Sequence, residues 1–240
     1  MRKPLMVAGV ATLALGTAGI AYAQNPAPAP TSTATVSPGK AGTKAKPKAV
    51  KFKLVVKNNL ESKTTASQIA VTFPSTLKLS TKGLKQCTAS DDAITQNGPD
   101  AACPGTKAGS GEAHAQLNPY SATPAPLIFK VTPLVGKNEV LYYLEQTNGA
   151  VHAVLHGKIS GRKMTIAIPA FLQQPAPGTF SALSDLTATL SLHKGKNALV
   201  TSTGCSGGKH KVGVVVSYVP NPTAPATSTA SAPAEAKCSK

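Results

Sequence analysis

Five histidines, nine acidic residues and four cysteines are the groups in this 240-residue chain with the means to do chemistry. His152 and His156 stand four apart, the spacing that would let them share a metal ion on a helix. The run Ala150-Val151-His152-Ala153-Val154-Leu155-His156 reads as a strand instead. Both rings then point to one sheet face about 13 Å apart, too far for one ion. They are expected to be outward-facing polar residues. His114, His193 and His210 are scattered, and only neighbouring strands would bring two of them together. Asp91, Asp92 and Asp100 fall in the polar stretch 88–102. A calcium loop wants closer oxygen spacing and a late bidentate Glu, so a hydrated acidic loop is expected. No metal site and no cofactor are expected.

Nucleophile motifs are equally thin. Ser206-Gly207-Gly208-Lys209, Ser37-Pro38-Gly39-Lys40 and Ser160-Gly161-Arg162-Lys163 all spell Ser-x-x-Lys. That motif needs a helix and partner motifs to act as a nucleophile with its base. Gly and Pro in the gaps disfavour helix, and neither Ser-Asp-Asn nor Lys-Thr-Gly occurs. Gly109-Ser110-Gly111 lacks the first glycine of a nucleophile elbow, because Ala108 stands there. It reads as a flexible strand entry. No phosphate-cradling Gly-x-x-x-x-Gly-Lys-Ser/Thr is present. Tyr142 and Tyr143 should point to opposite sheet faces, one into the core and one to solvent as a candidate sugar-stacking ring. With no Trp and 4% aromatic residues, a carbohydrate platform is poorly supplied. No catalytic residue is therefore assigned.

The segments that frame these residues begin with an export signal. Arg2 and Lys3 precede the mostly apolar Leu5–Ile20, and Ala21-Tyr22-Ala23 offers small residues where a signal peptidase reads, so cleavage before Gln24 is expected. Sixteen apolar positions are short for a membrane span, which needs about 20. No cysteine follows the signal to carry a lipid, and Ala236-Lys237-Cys238-Ser239-Lys240 is no hydrophobic tail. The mature chain is expected to be extracellular and soluble, or held to the envelope without a covalent anchor. Loss of Arg2 and Lys3 takes the formal charge from +16 to +14. A cytoplasmic chain of that charge would point to nucleic acid; export argues against nucleic acid and for anionic wall polymers or a membrane surface. Residues 24–48 are rich in Pro, Ala, Thr and Lys and lack apolar residues to bury, so a disordered linker is expected. Lys40, Lys44, Lys46 and Lys48 make its end basic, either a solvated spacer or an electrostatic tether.

From residue 49 the pattern has period two. Val50, Phe52, Leu54 and Val56 alternate with Lys51, Lys53 and Lys57, and Ile69, Val71 and Phe73 repeat it until Pro74. Leu77 and Leu79 suggest an edge piece. Runs at 127–132, 140–146, 151–156, 163–168, 186–192, 198–202 and 212–219 follow at the spacing of an all-β domain. Asn148-Gly149 marks a hairpin, and 181–186 suits one helical turn. About ten strands and no long helix outside the signal suit an all-β domain over 49–240, an antiparallel two-sheet sandwich of jelly-roll or immunoglobulin-like type. Its span 220–237 reads as a low-complexity loop. Four cysteines allow three connectivities; the local pairs Cys87–Cys103 and Cys205–Cys238 are favoured, as suits an oxidising compartment.

Phe73-Pro74-Ser75-Thr76-Leu77-Lys78-Leu79 leads to Cys87, and Cys103-Pro104-Gly105-Thr106-Lys107-Ala108-Gly109-Ser110-Gly111 follows. This resembles a family of secreted, largely uncharacterised actinobacterial proteins with a Cys-Pro-x-x-Ser/Thr-x-x-Gly-x-Gly turn, here one residue shorter. The stretch Ala198–Cys205 and the closing Cys238 resemble that family's tail, with His210 or Val212 where an aromatic residue usually stands. The resemblance implies an extracellular β-sandwich with two local disulfides, and no particular activity, cofactor or substrate. The expected function is a non-enzymatic, envelope-associated structural or binding module. The alternative is an extracellular hydrolase whose site is assembled from distant strands.

Overall fold

A computed structural model describes residues 29–60, 63–222 and 227–240. The signal-peptide reading lies outside them. In chain order come strands β1 (Thr31–Ser37), β2 (Lys48–Ala49), β3 (Lys51–Lys57), β4 (Thr65–Thr72) and β5 (Leu77–Leu79), then helix α1 (Asp91–Ala102). Four long strands follow and make a meander: β6 (Gly109–Leu117), β7 (Ala125–Val135), β8 (Glu139–Gln146) and β9 (His152–Ser160). β10 (Lys163–Ala167), the one-turn helix α2 (Ala170–Gln173) and β11 (Ser181–Leu190) lead to the short pieces β12 (His193–Lys194), β13 (Asn197–Ala198) and β14 (Val200–Ser202). β15 (Lys209–Val219), β16 (Ser228–Ser231) and β17 (Ala234–Lys237) complete the chain.

The expected all-β class holds, but the expected two-sheet sandwich of about ten strands gives way to one large antiparallel sheet. Its order is β1-β3-β11-β6-β7-β8-β9-β10-β4-β15-β16, with β17 also on β15, making 12 strands. Short sheets β2-β14-β5 and β12-β13 stand beside it. Strand twist accumulates across so wide a sheet and curls it into a half-barrel. The apolar face then packs against itself, and no second sheet is needed to bury it. The edges approach one another: Ser32 Oγ donates to the Ala232 carbonyl, and Ser239 N–H donates to the Gly39 carbonyl at 2.9 Å.

Local alternation does set which side chains enter the core. In β3, Phe52, Leu54 and Val56 are buried while Lys51, Lys53 and Lys57 are exposed. Gly109 and Gly111 are not a flexible entry but a place of close approach: a Cβ on either would collide with the carbonyl oxygen of Thr189 or Thr187 on β11. Glycine alone lets β6 and β11 pair there.

Four further expectations are corrected. The supposedly disordered 24–48 contains β1, which pairs with β3 from Thr31↔Lys57 to Ser37↔Lys51 and buries Ala34 and Val36. Two inward side chains and a full antiparallel ladder suffice for an edge strand. The low-complexity span 220–237 contains β16 and β17, both paired to β15. Residues 181–186 begin β11 rather than a helical turn. The acidic stretch 88–102 forms α1, capped by Ser90, whose Oγ accepts from Ala93 N–H at 3.2 Å, with Asp91 and Asp92 at the positive end of its dipole. Within it Asn97-Gly98-Pro99-Asp100, a run that favours a turn, makes a kink, with Gly98 at φ 75°.

The two favoured disulfide pairs are those formed, with Cα atoms 5.0 Å apart for Cys87–Cys103 and 5.8 Å for Cys205–Cys238. The first bridges the two ends of the segment carrying α1 and fastens it over the outer face of β7–β9. Ile94 is fully buried there among Leu134, Leu141, Tyr143 and Val154. β8 is thus covered on both faces, which is why Val140-Leu141-Tyr142-Tyr143-Leu144 runs apolar without alternation.

Candidate functional site

Every second residue of β8, starting at Tyr142, points to the concave side of the curled sheet. Tyr142, Leu144 and Gln146 line a cavity of about 500 Å³ with Phe129, Val131, Leu155, Ile69, Ile166 and Leu183 from neighbouring strands. The curl of the sheet leaves space that these side chains do not fill. α2 and the loop after it lie against this space, contributing Phe171, Leu172 and Pro175. Phe171 lines the cavity yet is 52% exposed, so it sits where the cavity meets solvent. α2 is only one turn long and has no side-chain N-cap. It is held by Ser181 Oγ donating to the Leu172 carbonyl and Gln173 Nε2 donating to the Ile168 carbonyl at 2.5 Å.

Three residues with polar side chains occur on the lining, Tyr142, Ser181 and Gln146, and none is charged. Tyr142 donates to Met164 Sδ at 3.4 Å, and burial pushes its pKa up so that it stays neutral. Ser181 is engaged with Leu172. Gln146 is 8% exposed and its backbone N–H donates to Val151, but its side-chain amide engages no protein partner. The site is therefore an apolar chamber on whose wall the Gln146 amide has no hydrogen-bond partner among the described residues.

The histidines lie elsewhere. On the outer face His156 bridges two elements: Nε2 to Asp91 Oδ2 of α1 at 3.0 Å and Nδ1 to Glu139 Oε2 of β8 at 2.9 Å. Burial lowers its pKa, but the two carboxylate hydrogen bonds outweigh burial and raise it above the ordinary value. His152 shares the face and donates from Nδ1 to the Thr95 carbonyl at 3.0 Å. The pair is on one sheet face and outward-facing as expected, with His152 exposed and His156 half-buried, and both rings bond to α1 because the stretch read as a loop is a helix. His114 repeats the bridge with Glu112 at 2.8 Å and Asp185 at 2.9 Å. The hydrogen bond to Glu112 raises its pKa most; burial opposes, and Asp185 adds to the rise. In both bridges the carboxylates sit on opposite ring nitrogens, so the oxygens do not converge on one point. Among the described residues no group of three or more His, Cys, Asp or Glu is placed to hold a metal.

His210 is buried in β15, where its Nδ1 meets Thr76 Oγ1 at 2.8 Å and Nε2 has no partner. Burial lowers its pKa, which keeps the ring neutral. His193 is exposed on β12.

The remaining sequence candidates separate. Asp91 serves His156, while Asp100 pairs with Lys107 at 2.7 Å. Ser160 and Lys163 are opposed residues of the β9–β10 hairpin, and Ser206 and Lys209 form an isolated bridge at another turn, so both Ser-x-x-Lys matches are hairpin closures. Ser37 is in β1, and Lys40 bridges to Ser239. Tyr143 is not a solvent-facing ring: it is 3% exposed beneath α1, with its ring edge-on to His152 at 5.8 Å.

Sequence reasoning missed Gln146 and Phe171. The signal for Gln146 was parity, since it stands two and four residues beyond the inward Leu144 and Tyr142 in a run already read as strand. Phe171 had no periodic context.

No family model matches the chain, and neither a curated protein nor a solved structure matches it.

Proposed function

We propose that this protein is an exported, non-enzymatic binding module whose cavity takes up one apolar small molecule. The carrying observation is the uncharged 500 Å³ chamber inside the curled sheet. Apolar walls that face unfilled space lack the contacts a packed core supplies. A bound apolar molecule restores the missing contacts.

Export is supported by the signal-like N-terminal sequence and by two disulfides with no free cysteine among the described residues. The basic segment Lys40–Lys48 and the formal charge of +14 left after loss of Arg2 and Lys3 support weak, salt-sensitive retention on anionic envelope polymers or a membrane surface. The hydrolase alternative needs a histidine, a hydroxyl and a carboxylate in one cleft. Among the described residues, the hydroxyl-bonded histidine, His210, is 1% exposed, and the two carboxylate-bonded histidines engage no hydroxyl.

Titration with a fluorophore bearing an acyl chain tests the reading. Saturable binding of one probe per chain is expected, with loss of at least tenfold in affinity for Leu155→Arg, which puts a charge into the chamber. Linear, non-saturating fluorescence identical in the variant would refute it.

A further inference from the structure

The geometry points to a more specific ligand: a long apolar chain ending in one uncharged oxygen function, such as an ester, amide or alcohol, held by the Gln146 side chain. This rests on the cavity reading above and names the class of molecule that enters. Gln146 is only 8% exposed and lines the chamber, and among the described residues no hydrogen bond reaches its side-chain amide. The other polar lining groups are already committed, Tyr142 to Met164 and Ser181 to Leu172. An amide on an apolar wall that finds no protein partner gains less from its place than an aliphatic side chain would. Its presence on an otherwise aliphatic wall is explained if the ligand supplies the partner.

The same wall excludes a charged head group at that position. No lining residue carries a charge. A carboxylate or phosphate seated beside Gln146 would lose its hydration with no counter-charge. A primary amide, by contrast, donates to a carbonyl oxygen and accepts from a hydroxyl. Length follows from the strand. Tyr142 and Gln146 both line the chamber from one face of β8, four residues apart, so it extends at least about 13 Å along the strand. The polar end belongs at the C-terminal end of β8, where Gln146 pairs with Phe129 of β7, and the chain runs past Leu144 toward Tyr142.

The test is calorimetric titration of the full mature chain with three probes of one chain length: an n-alkane, its methyl ester and its carboxylate at neutral pH. The wild type should bind the ester about tenfold more tightly than the alkane, one buried hydrogen bond's worth, and the carboxylate most weakly. Gln146→Leu and Gln146→Met should bind ester and alkane equally; retained alkane binding reports an intact chamber in each variant. An ester preference that survives in both variants overturns the assignment, as does a wild type that prefers the carboxylate. Alkane binding without ester preference overturns this inference alone. Failure of all three probes to bind the wild type overturns the cavity reading with it.

Discussion

The two faces of β8 carry adjacent residues into opposite environments. On the outer face, Leu141 and Tyr143 meet Ile94 of α1 under the Cys87–Cys103 bridge, and the polar groups around them find partners: His152 bonds Thr95, and His156 bonds Asp91 and Glu139. On the inner face, Tyr142, Leu144 and Gln146 look into a chamber with room to spare and an amide left over. The first region is stapled and filled, as stability requires. The second leaves space unfilled beside a polar side chain. Both lie on one strand of one sheet, so strand propensity does not separate them. The difference is the observation on which the proposed ligand chamber rests.

Breaking the outer region should have the largest effect on stability and the smallest on binding. Replacing Cys87 and Cys103 together by Ser removes a bridge across 16 positions of sequence and should cost about 3 kcal/mol. Ile94→Ala should cost about 2–5 kcal/mol, because Ile94 is fully buried. Urea unfolding monitors both. Binding of an acyl probe should persist in whatever fraction remains folded.

Adding bulk should separate the faces in sign. Val154→Phe beneath α1 overfills a packed cluster and should cost about 1–3 kcal/mol. Ala113→Leu points into the chamber, where the added carbons meet space; thermal unfolding should show no loss or a gain of up to about 1 kcal/mol. The same Leu should weaken ligand binding at least tenfold. A destabilising Ala113→Leu would mean that the chamber is not open in solution.

The smallest effect is pH dependence, which sharpens the electrostatic side of the contrast. His156 and His114 have folded pKa values raised above 6.5, so their stabilisation is complete below 6.5 and is lost as pH rises through the folded value. Both rings are about a third exposed, which holds each contribution under about 1 kcal/mol. His210 acts in the opposite sense: its lowered pKa gives stabilisation above 6.5 that is lost as pH falls through the folded value. Urea midpoints should decline on both sides of a maximum. His156→Gln with His114→Gln should flatten the alkaline side and leave the acid side.

Much of the outer architecture was legible because it follows from local rules. The Lys51–Lys57 alternation, the Asn148-Gly149 turn with Gly149 at φ 72°, and both local cysteine pairs read directly. Period two says which side chains are buried but not against what, so one curled sheet and two stacked sheets write the same pattern. α1 was hidden because Asn97-Gly98-Pro99-Asp100 carries a strong turn signal, and a kink at Gly98 satisfies that signal inside a helix anchored by Ile94. β1 was hidden because Thr and Ser surround its two inward residues, Ala34 and Val36. The chamber has no sequence signature at all: unfilled space arises from the curvature of the whole sheet. Gln146 was the one local clue, a polar residue at an inward position of an apolar strand.

The most direct test is a methyl-resolved NMR titration of the mature protein with a long-chain methyl ester. Saturable shifts at the methyls of Leu144, Leu155 and Leu183, with Ile94 and Val154 unmoved, are the predicted result. Shifts confined to the α1 side, or none up to the solubility limit of the ester, would contradict a ligand chamber on the concave face.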